Sequence, residues 1–348
     1  MITIFEKIDS DNINMDLIEK AAGILRKGGL VAFPTETVYG LGADGLNASA
    51  CKKIYEAKGR PSDNPLILHI GNISQLKDIV CDIPECAVKI IDRFWPGPVT
   101  LVFRKKPIVP DSVSGGLNTV AVRFPSNPVA RAIINAAKTP VAAPSANTSG
   151  KPSPTRAKHV LHDMDGKIDM IIDGGSCEVG LESTIVDVTG KKPVILRPGG
   201  ITKEMLEEVV GAIDIDPAVY KALSAGEKPK APGMKYTHYS PDAEVFLVKG
   251  EKSNVAEKIN QLVKQDMENG LKTGVMCLNS NAGLYKADMV VGVGKNMRQA
   301  GKALFDILRD FDENKVNKVY SEVFEETGEG MAVMNRLKKA AGYKLIEA

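Results

Sequence analysis

With 348 residues, 43% of them hydrophobic and 25% charged, the chain has the make-up of an ordinary globular protein of about two domains. Its formal net charge of +2 excludes a polycation, so any anion or nucleic-acid site must come from local clustering of Lys and Arg. The five cysteines, Cys51, Cys81, Cys86, Cys177 and Cys277, form no C-x-x-C pair, which fits a reduced cytoplasmic protein better than a disulfide framework. The first residues show no basic region followed by an apolar run, and no apolar stretch reaches the roughly 18 residues of a membrane span. A cytoplasmic protein without a membrane partner is therefore expected.

Strand-like and helix-like runs alternate from the start. MDLIEKAAGILRKGG (15–29) has apolar residues at helical spacing and a glycine stop. LVAF (30–33) reads as a short buried strand cut by Pro34, and SACKKIYEAKG (49–59) as a helix with Asn47 or Ser49 as its cap. Strands follow at LILHI, VTLVF, TVAVRF, VAA, MIID, STIVDV and VILR, and helices at PECAVKIIDRF, PVARAIINAAK and TRAKHVLHDM. Several strands adjoin without a helix between them, so the sheet is expected to be mixed within an α/β fold. After RPGGITKEMLEEVVG the texture changes: DPAVYKALSAGEKPKAPGMKYTHYSPDAE has four prolines and no periodicity, and its later part reads as a linker or a functional long loop. From residue 242 a second α/β unit runs through EVFLV, a long helix, TGVMCL, DMVVGVG, a second long helix, KVYSEVF and a last helix, the pattern of a small Rossmann-like wound sheet.

Polar groups recur at the mouths of these strands. KGRPSDNPL (58–66) sets Lys58, Arg60, Ser62 and Asn64 before a core strand, where an Arg fork and a Lys point charge suit phosphate or carboxylate. PSANTSG (144–150) is either a polar turn or a nest of donors for phosphate oxygens. Arg123 and Arg197 sit in apolar strands, a costly placement unless they point outward or meet an anion. Ser183 and Thr184 stand at another strand entrance. In α/β folds, ligands bind at such strand ends. GLGADG (40–45) matches G-x-G-x-x-G but lacks a strand running straight into the glycines, so a glycine turn is expected there, not a dinucleotide site. His159 and His162, spaced H-x-x-H without a third ligand nearby, read as a solvated helix face.

Taken together, FPTETVYGLG (33–42), KGRPSDNPL (58–66), SANTSG (145–150), ESTIVD (182–187) and LRPGGI (196–201) resemble, in order and spacing, the YrdC-like superfamily of threonylcarbamoyl-AMP synthases. APGMKYTHYSP and the C-terminal unit resemble the long form of that family. The resemblance implies a twisted mixed sheet of the YrdC-like (RibB-like) kind over 1–208, a linker or lid over 209–241 and a Rossmann-like domain over 242–348. It implies the conversion of L-threonine, bicarbonate and ATP to threonylcarbamoyl-AMP and diphosphate, the first step of a tRNA modification completed by a threonylcarbamoyl-transferase complex. Carried over residue by residue, Thr37, His69, Arg123, Ala143 and Ser183 match threonine positions, with Asn64 or its neighbours. Lys58, Arg60, Asn64, Thr119, Ser145, Asn147, Ser153 and Arg197 match nucleotide positions, with Lys58 and Arg60 as the catalytic cations. Tyr236 and His238 match a segment that closes over the nucleotide. Mg²⁺ is expected on the ATP phosphates, with no protein metal site. A rival reading, a double-stranded RNA or tRNA-binding module without turnover, stays open as the alternative, and with it weak RNA binding.

Overall fold

A computed structural model describes residues 2–220, 229–232 and 239–348 of the chain. These fall into two compact units, one of Met1–Ser149 with Ser153–Tyr236 and one of Gly150–Pro152 with Thr237–Ala348.

The first unit is built on an eleven-stranded sheet. In chain order its strands are β1 (Ile4–Lys7), β2 (Val31–Phe33), β3 (Gly40–Asp44), β4 (Ile67–His69), β5 (Val99–Arg104), β6 (Thr119–Arg123), β7 (Val141–Ala142), β8 (Met170–Asp173), β9 (Thr184–Asp187), β10 (Val194–Arg197) and β11 (Asp214–Ile215). Their order in space is β1-β8-β2-β3-β7-β4-β6-β5-β9-β10-β11. Parallel and antiparallel ladders are mixed along it. For example, β4 runs parallel to β6, whereas β5 runs antiparallel to β6 and parallel to β9.

Helices cover the sheet with their apolar stripes. Ile54 of the helix Ala48–Lys58, and Ala87 and Ile90 of Glu85–Phe94, pack with Leu68, Leu101 and Val122 of the central strands. Met15–Arg26 and Pro128–Ala137 bring Ile18, Leu25, Ile133 and Ile134 onto Phe33, Val141, Met170 and Ile172. Asn14, Asn47 and Asn127 cap three of these helices, each accepting two backbone N–H bonds through its side chain. That satisfies donors that a helix start leaves open.

Strand alternation turns every second residue of the central strands to the opposite face. There Ile67, Ala121 and Val102 form an apolar row, joined by Ile185, Leu196, Ala218 and Ala231. Two residues further along, the same register pairs His69 with Arg123 and Arg123 with Thr100. The strands thus carry an apolar floor and, beside it, a polar row.

GLGADG corrects the expectation of a turn, because Gly40–Asp44 is strand β3. Its glycines serve close packing instead. A Cβ on Gly42 would stand 2.6 Å from the Phe33 ring, and one on Gly45 2.4 Å from Leu68. His159 corrects a second expectation. It is buried and its Nδ1 accepts the Thr155 N–H at 3.3 Å, while His162 is exposed. Only one of the two therefore lies on a solvated face.

The second unit holds a five-stranded sheet of β12 (Glu244–Lys249), β13 (Thr273–Cys277), β14 (Met289–Gly292), β15 (Lys318–Glu322) and β16 (Leu345–Glu347), all parallel, in the order β14-β13-β15-β12-β16. Parallel neighbours need crossovers, and the helices Lys252–Glu268, Met297–Glu313 and Glu329–Ala340 supply three of them. This is the expected small Rossmann-like sheet. Among the described residues, no helix is long and apolar enough to cross a membrane.

Candidate functional site

The site grows from the polar row. Arg123 ends β6 almost wholly buried, so its charge must be answered locally. Its Nη1 donates to Thr37 Oγ1 at 2.8 Å. Its Nη2 lies 2.7 Å from Glu36 Oε1, an ion pair in which both side chains are only 5% exposed. That contact is too far off line to count as a hydrogen bond. Nε and Nη2 of Arg123 and both carboxylate oxygens of Glu36 are buried without a hydrogen-bond partner. Fewer than a tenth of buried polar groups are left so, and a cluster of them at the end of a strand calls for a functional or solvent partner.

The segment between β2 and β3 presents Glu36 and Thr37 because Thr35 folds it into a tight turn. Thr35 Oγ1 donates to Val38 O at 2.6 Å and accepts from the Thr37 and Val38 amides. His69, level with Arg123 on β4, is buried, with its Nδ1 3.3 Å from Ile67 O. Burial first, and the Arg123 charge second, push its pKa down to about 3, so the ring is neutral at physiological pH. On the other side of Arg123, Thr100 and Ser183 share a 2.7 Å hydroxyl bond. Arg197 donates through Nε and Nη2 to Ser183 O at 3.1 and 3.0 Å and through Nη2 to Ser183 Oγ at 3.2 Å. A chain of contacts thus links Arg197 to Ser183, Thr100, Arg123, Thr37 and Glu36.

The SANTSG segment sits against the start of β3. Gly40 and Ser145 form an isolated antiparallel bridge, and Ala146 N donates to Tyr39 O at 2.8 Å. Lys58, at the end of its helix and 2% exposed, donates to the carbonyls of Ser145 and Asn147. Ser149 N returns a 2.8 Å bond to Lys58 O. Ser145 Oγ in turn donates to Asn147 Oδ1. Ala143 N donates to Ile67 O at 3.0 Å, which sets Ala143 beside β4.

Gly59, at φ 61°, ends the helix in the left-handed conformation and turns the chain toward Arg60. Arg60 Nη2 donates to Pro65 O at 3.0 Å, and its Nε and Nη2 reach Asn64 O at 3.4 Å. Asn64 is buried with its Oδ1 unpartnered. The parallel register of β4 and β6 pairs Ile67, which follows these residues in the chain, with Ala121, two residues from Thr119 at the opposite end of β6 from Arg123. At ~3.3 Å per residue the two ends of that strand are about 13 Å apart. Ser153 Oγ donates to the Glu182 carboxylate, just ahead of Ser183.

The structure therefore brings Thr37, His69, Arg123, Ser183 and Arg197 into one run of contacts. It joins Lys58, Ser145 and Asn147 into a second group, and Arg60 and Asn64 into a third, just ahead of β4. Tyr236 and His238 lie outside the described residues. Sequence reasoning passed over Glu36, Thr35 and Thr100. Glu36 stood inside a quoted motif, and a carboxylate two residues beyond a proline that cuts a core strand was the signal available. Thr100, a lone hydroxyl in VTLVF, was equally visible. Cys177, buried nearby, has its thiol pKa raised by burial and then by Glu36, and so stays protonated.

Residues 23–199 match the Sua5/YciO/YrdC family, described as "Telomere recombination", and residues 201–342 match the "Threonylcarbamoyl-AMP synthase, C-terminal domain". The chain is 49% identical to the threonylcarbamoyl-AMP synthase of Pyrococcus abyssi, over 100% of this chain and 99% of that protein. It is 50% identical to that of Bacillus subtilis, over 97% and 96%. The solved structure of P. abyssi Sua5 complexed with L-threonine superposes with a TM-score of 0.94 at 49% identity, covering 99% of this chain and 100% of that one. E. coli YciO superposes at 0.52 with 26% identity over 57% of this chain and 96% of its own. With both halves matched and this identity sustained from end to end, the chain belongs to the threonylcarbamoyl-AMP synthase family, in the form that carries the Sua5 C-terminal domain.

Proposed function

We propose that the polar row on β4, β5 and β6 and the segments facing it are where this enzyme joins L-threonine, bicarbonate and ATP into threonylcarbamoyl-AMP and diphosphate. The reaction is the first step of threonylcarbamoyladenosine formation in tRNA, and the product passes to a transferase acting on tRNA. The observation that carries the assignment of residues is Arg123, a buried guanidinium whose Nε has no hydrogen-bond acceptor and whose Nη2 meets Glu36 only off line. A carboxylate completes such a fork with two parallel charge-assisted bonds. The P. abyssi relative, crystallised with L-threonine, supports threonine as the owner of that carboxylate.

On this reading Thr37, the Ala143 backbone and Ser183 flank the amino acid, and neutral His69 exchanges a hydrogen bond with it without adding charge. Glu36 receives the threonine ammonium, and its carboxylate takes a proton as the free amine attacks the carbon of bicarbonate. Water leaves, and the carbamate oxygen then attacks the α-phosphorus. The bond to the β-phosphate breaks and diphosphate departs. No side chain forms a covalent intermediate. Catalysis here is positioning and charge neutralisation, as in other transfers at phosphorus.

The nucleotide lies toward Asn64, Thr119, Ser145, Asn147, Ser153 and Arg60. The roughly 13 Å between Thr119 and Arg123 leaves room for an amino acid at one end and an adenylate at the other. Lys58 acts in two ways, fixing the Ser145 and Asn147 carbonyls and placing positive charge behind them. Arg197 does the same for Ser183. Mg²⁺ enters with the triphosphate. Among the described residues no three His, Cys, Asp or Glu side chains stand together as a metal cage, and no step here is routed through the ion.

The test is to supply ATP, bicarbonate and single amino acids and follow diphosphate release. Release driven by L-threonine and suppressed in Arg123→Met is the expected result. Release independent of any amino acid overturns the assignment.

A further inference from the structure

The second unit contains a cavity of about 260 Å³ at the carboxyl ends of its parallel strands. Strand order makes this opening. β12 and β13 pass the chain toward the β14 edge, while β15, lying between them, passes it the other way to β16. Connections that leave neighbouring strands in opposite directions part above the sheet, and the crevice so formed is where open α/β sheets bind ligands.

The cavity's inner wall is Glu322, the last residue of β15, only 8% exposed. It accepts from Leu278 N at 3.1 Å, Asn281 Nδ2 at 2.8 Å and Tyr285 Oη at 2.6 Å. A carboxylate offers about four acceptor positions, so one is left over. None of the described Lys, Arg or His residues pairs with it. Burying an ionised carboxylate without a cation is costly, and three neutral donors offset only part of that cost. Glu322 is held rigidly at the cavity wall and lacks a positive partner.

The rest of the lining has a second pole. Exposed Lys249 and Lys252 flank the mouth, where the 17-residue helix Lys252–Glu268 begins without a side-chain cap from Glu251. Val255, Leu278 and Phe324 supply apolar wall between the two poles, and exposed Glu325 also lines the cavity. An acceptor for a cation inside, two lysines against one glutamate outside it and an apolar wall suit a small molecule with an ammonium, a carboxylate and an aliphatic side chain. We propose that this cavity binds a free aliphatic α-amino acid. Its ammonium lies on Glu322, its carboxylate at Lys252 and the helix start, and its side chain against Val255 and Leu278. This is a site separate from the polar row of the first unit. It gives the second unit a ligand of its own.

L-leucine is the probe. Methyl-labelled full-length protein is titrated with L-leucine, with 4-methylpentanoate, which lacks the ammonium, and with L-leucinamide, which lacks the carboxylate. The expected result is saturable shifts of the Val255 and Leu278 methyl resonances with L-leucine at millimolar concentration, and at least tenfold weaker binding of both analogues. Lys252→Glu, an exposed position that leaves folding undisturbed, and Glu322→Gln should each weaken L-leucine tenfold or more. Arg123→Met should leave the titration unchanged, which separates this site from the first one. The proposal is overturned if no methyl of the cavity shifts up to 20 mM L-leucine (about the upper limit of a useful ligand affinity). Equal binding of the analogues, or unaltered binding in Lys252→Glu, overturns it as well.

Discussion

Replacing Arg123 by Met isolates the two duties that the buried ion pair combines. Met fills much of the space of the Arg stem but leaves Glu36, with both oxygens buried and unpartnered, as an isolated charge. Removing one member of a buried pair costs about 3–5 kcal/mol. The double variant Arg123→Met with Glu36→Gln removes the stranded charge and should recover most of that loss. About 1 kcal/mol should remain for the bond to Thr37 that Arg123 no longer makes. Threonine affinity should not recover. Two charge-assisted bonds to a carboxylate, at roughly 1.5–3 kcal/mol each, correspond to at least a hundredfold in half-saturation. Urea unfolding followed by Trp95 fluorescence reads the stability. Trp95 is the single tryptophan of the chain and its ring centre lies 6.5 Å from that of Phe124, next to Arg123. Threonine-dependent diphosphate release reads the function. A single variant as stable as the parent refutes the structural half of this reasoning, and a double variant within threefold of the parent in threonine half-saturation refutes the functional half.

His69 gives a pH signature. Its folded pKa of about 3 lies below the ordinary 6.5, so the unfolded chain binds the extra proton first as pH falls. Its contribution is full above about pH 6.5 and drains away, at up to roughly 1.4 kcal/mol per pH unit, until the folded pKa near 3 is passed. His69→Gln should flatten the stability curve in that window, and an unchanged slope in acid titration of Trp95 fluorescence would count against it. Lys58→Met should abolish turnover and also speed amide exchange across residues 144–149, because two carbonyls there lose their ammonium. Lost turnover with unchanged exchange would assign Lys58 to charge alone. Native alkylation should mark exposed Cys81 first and spare buried Cys51 and Cys177, whose thiol pKa values burial raises, to about 12 for Cys51. Mass mapping that finds Cys177 modified before Cys81 contradicts the described packing.

Much of this protein is legible in its amino-acid sequence. Helical spacing with Asn caps, short apolar strands and polar clusters at strand mouths are local features, and local sequence specifies them. The parts that misled were those where a distant partner decides. GLGADG gave strand β3 because β2 and β7 pair with Gly40–Asp44, and its glycines let Phe33, Val141 and Leu68 lie where any side chain would collide. His159 is buried, which its H-x-x-H spacing did not show, and its Nδ1 accepts from the Thr155 amide one turn earlier. Glu36 showed its importance only once β6 brought Arg123 to it from a distant stretch of the chain. The cavity beside Glu322 depends on which strands lie side by side, information that no single strand carries. Residue types and their spacing therefore determined the elements, the family resemblance and most candidate ligands. The tertiary structure alone decided which charges meet, because burial and pairing are properties of positions far apart in sequence and close in space.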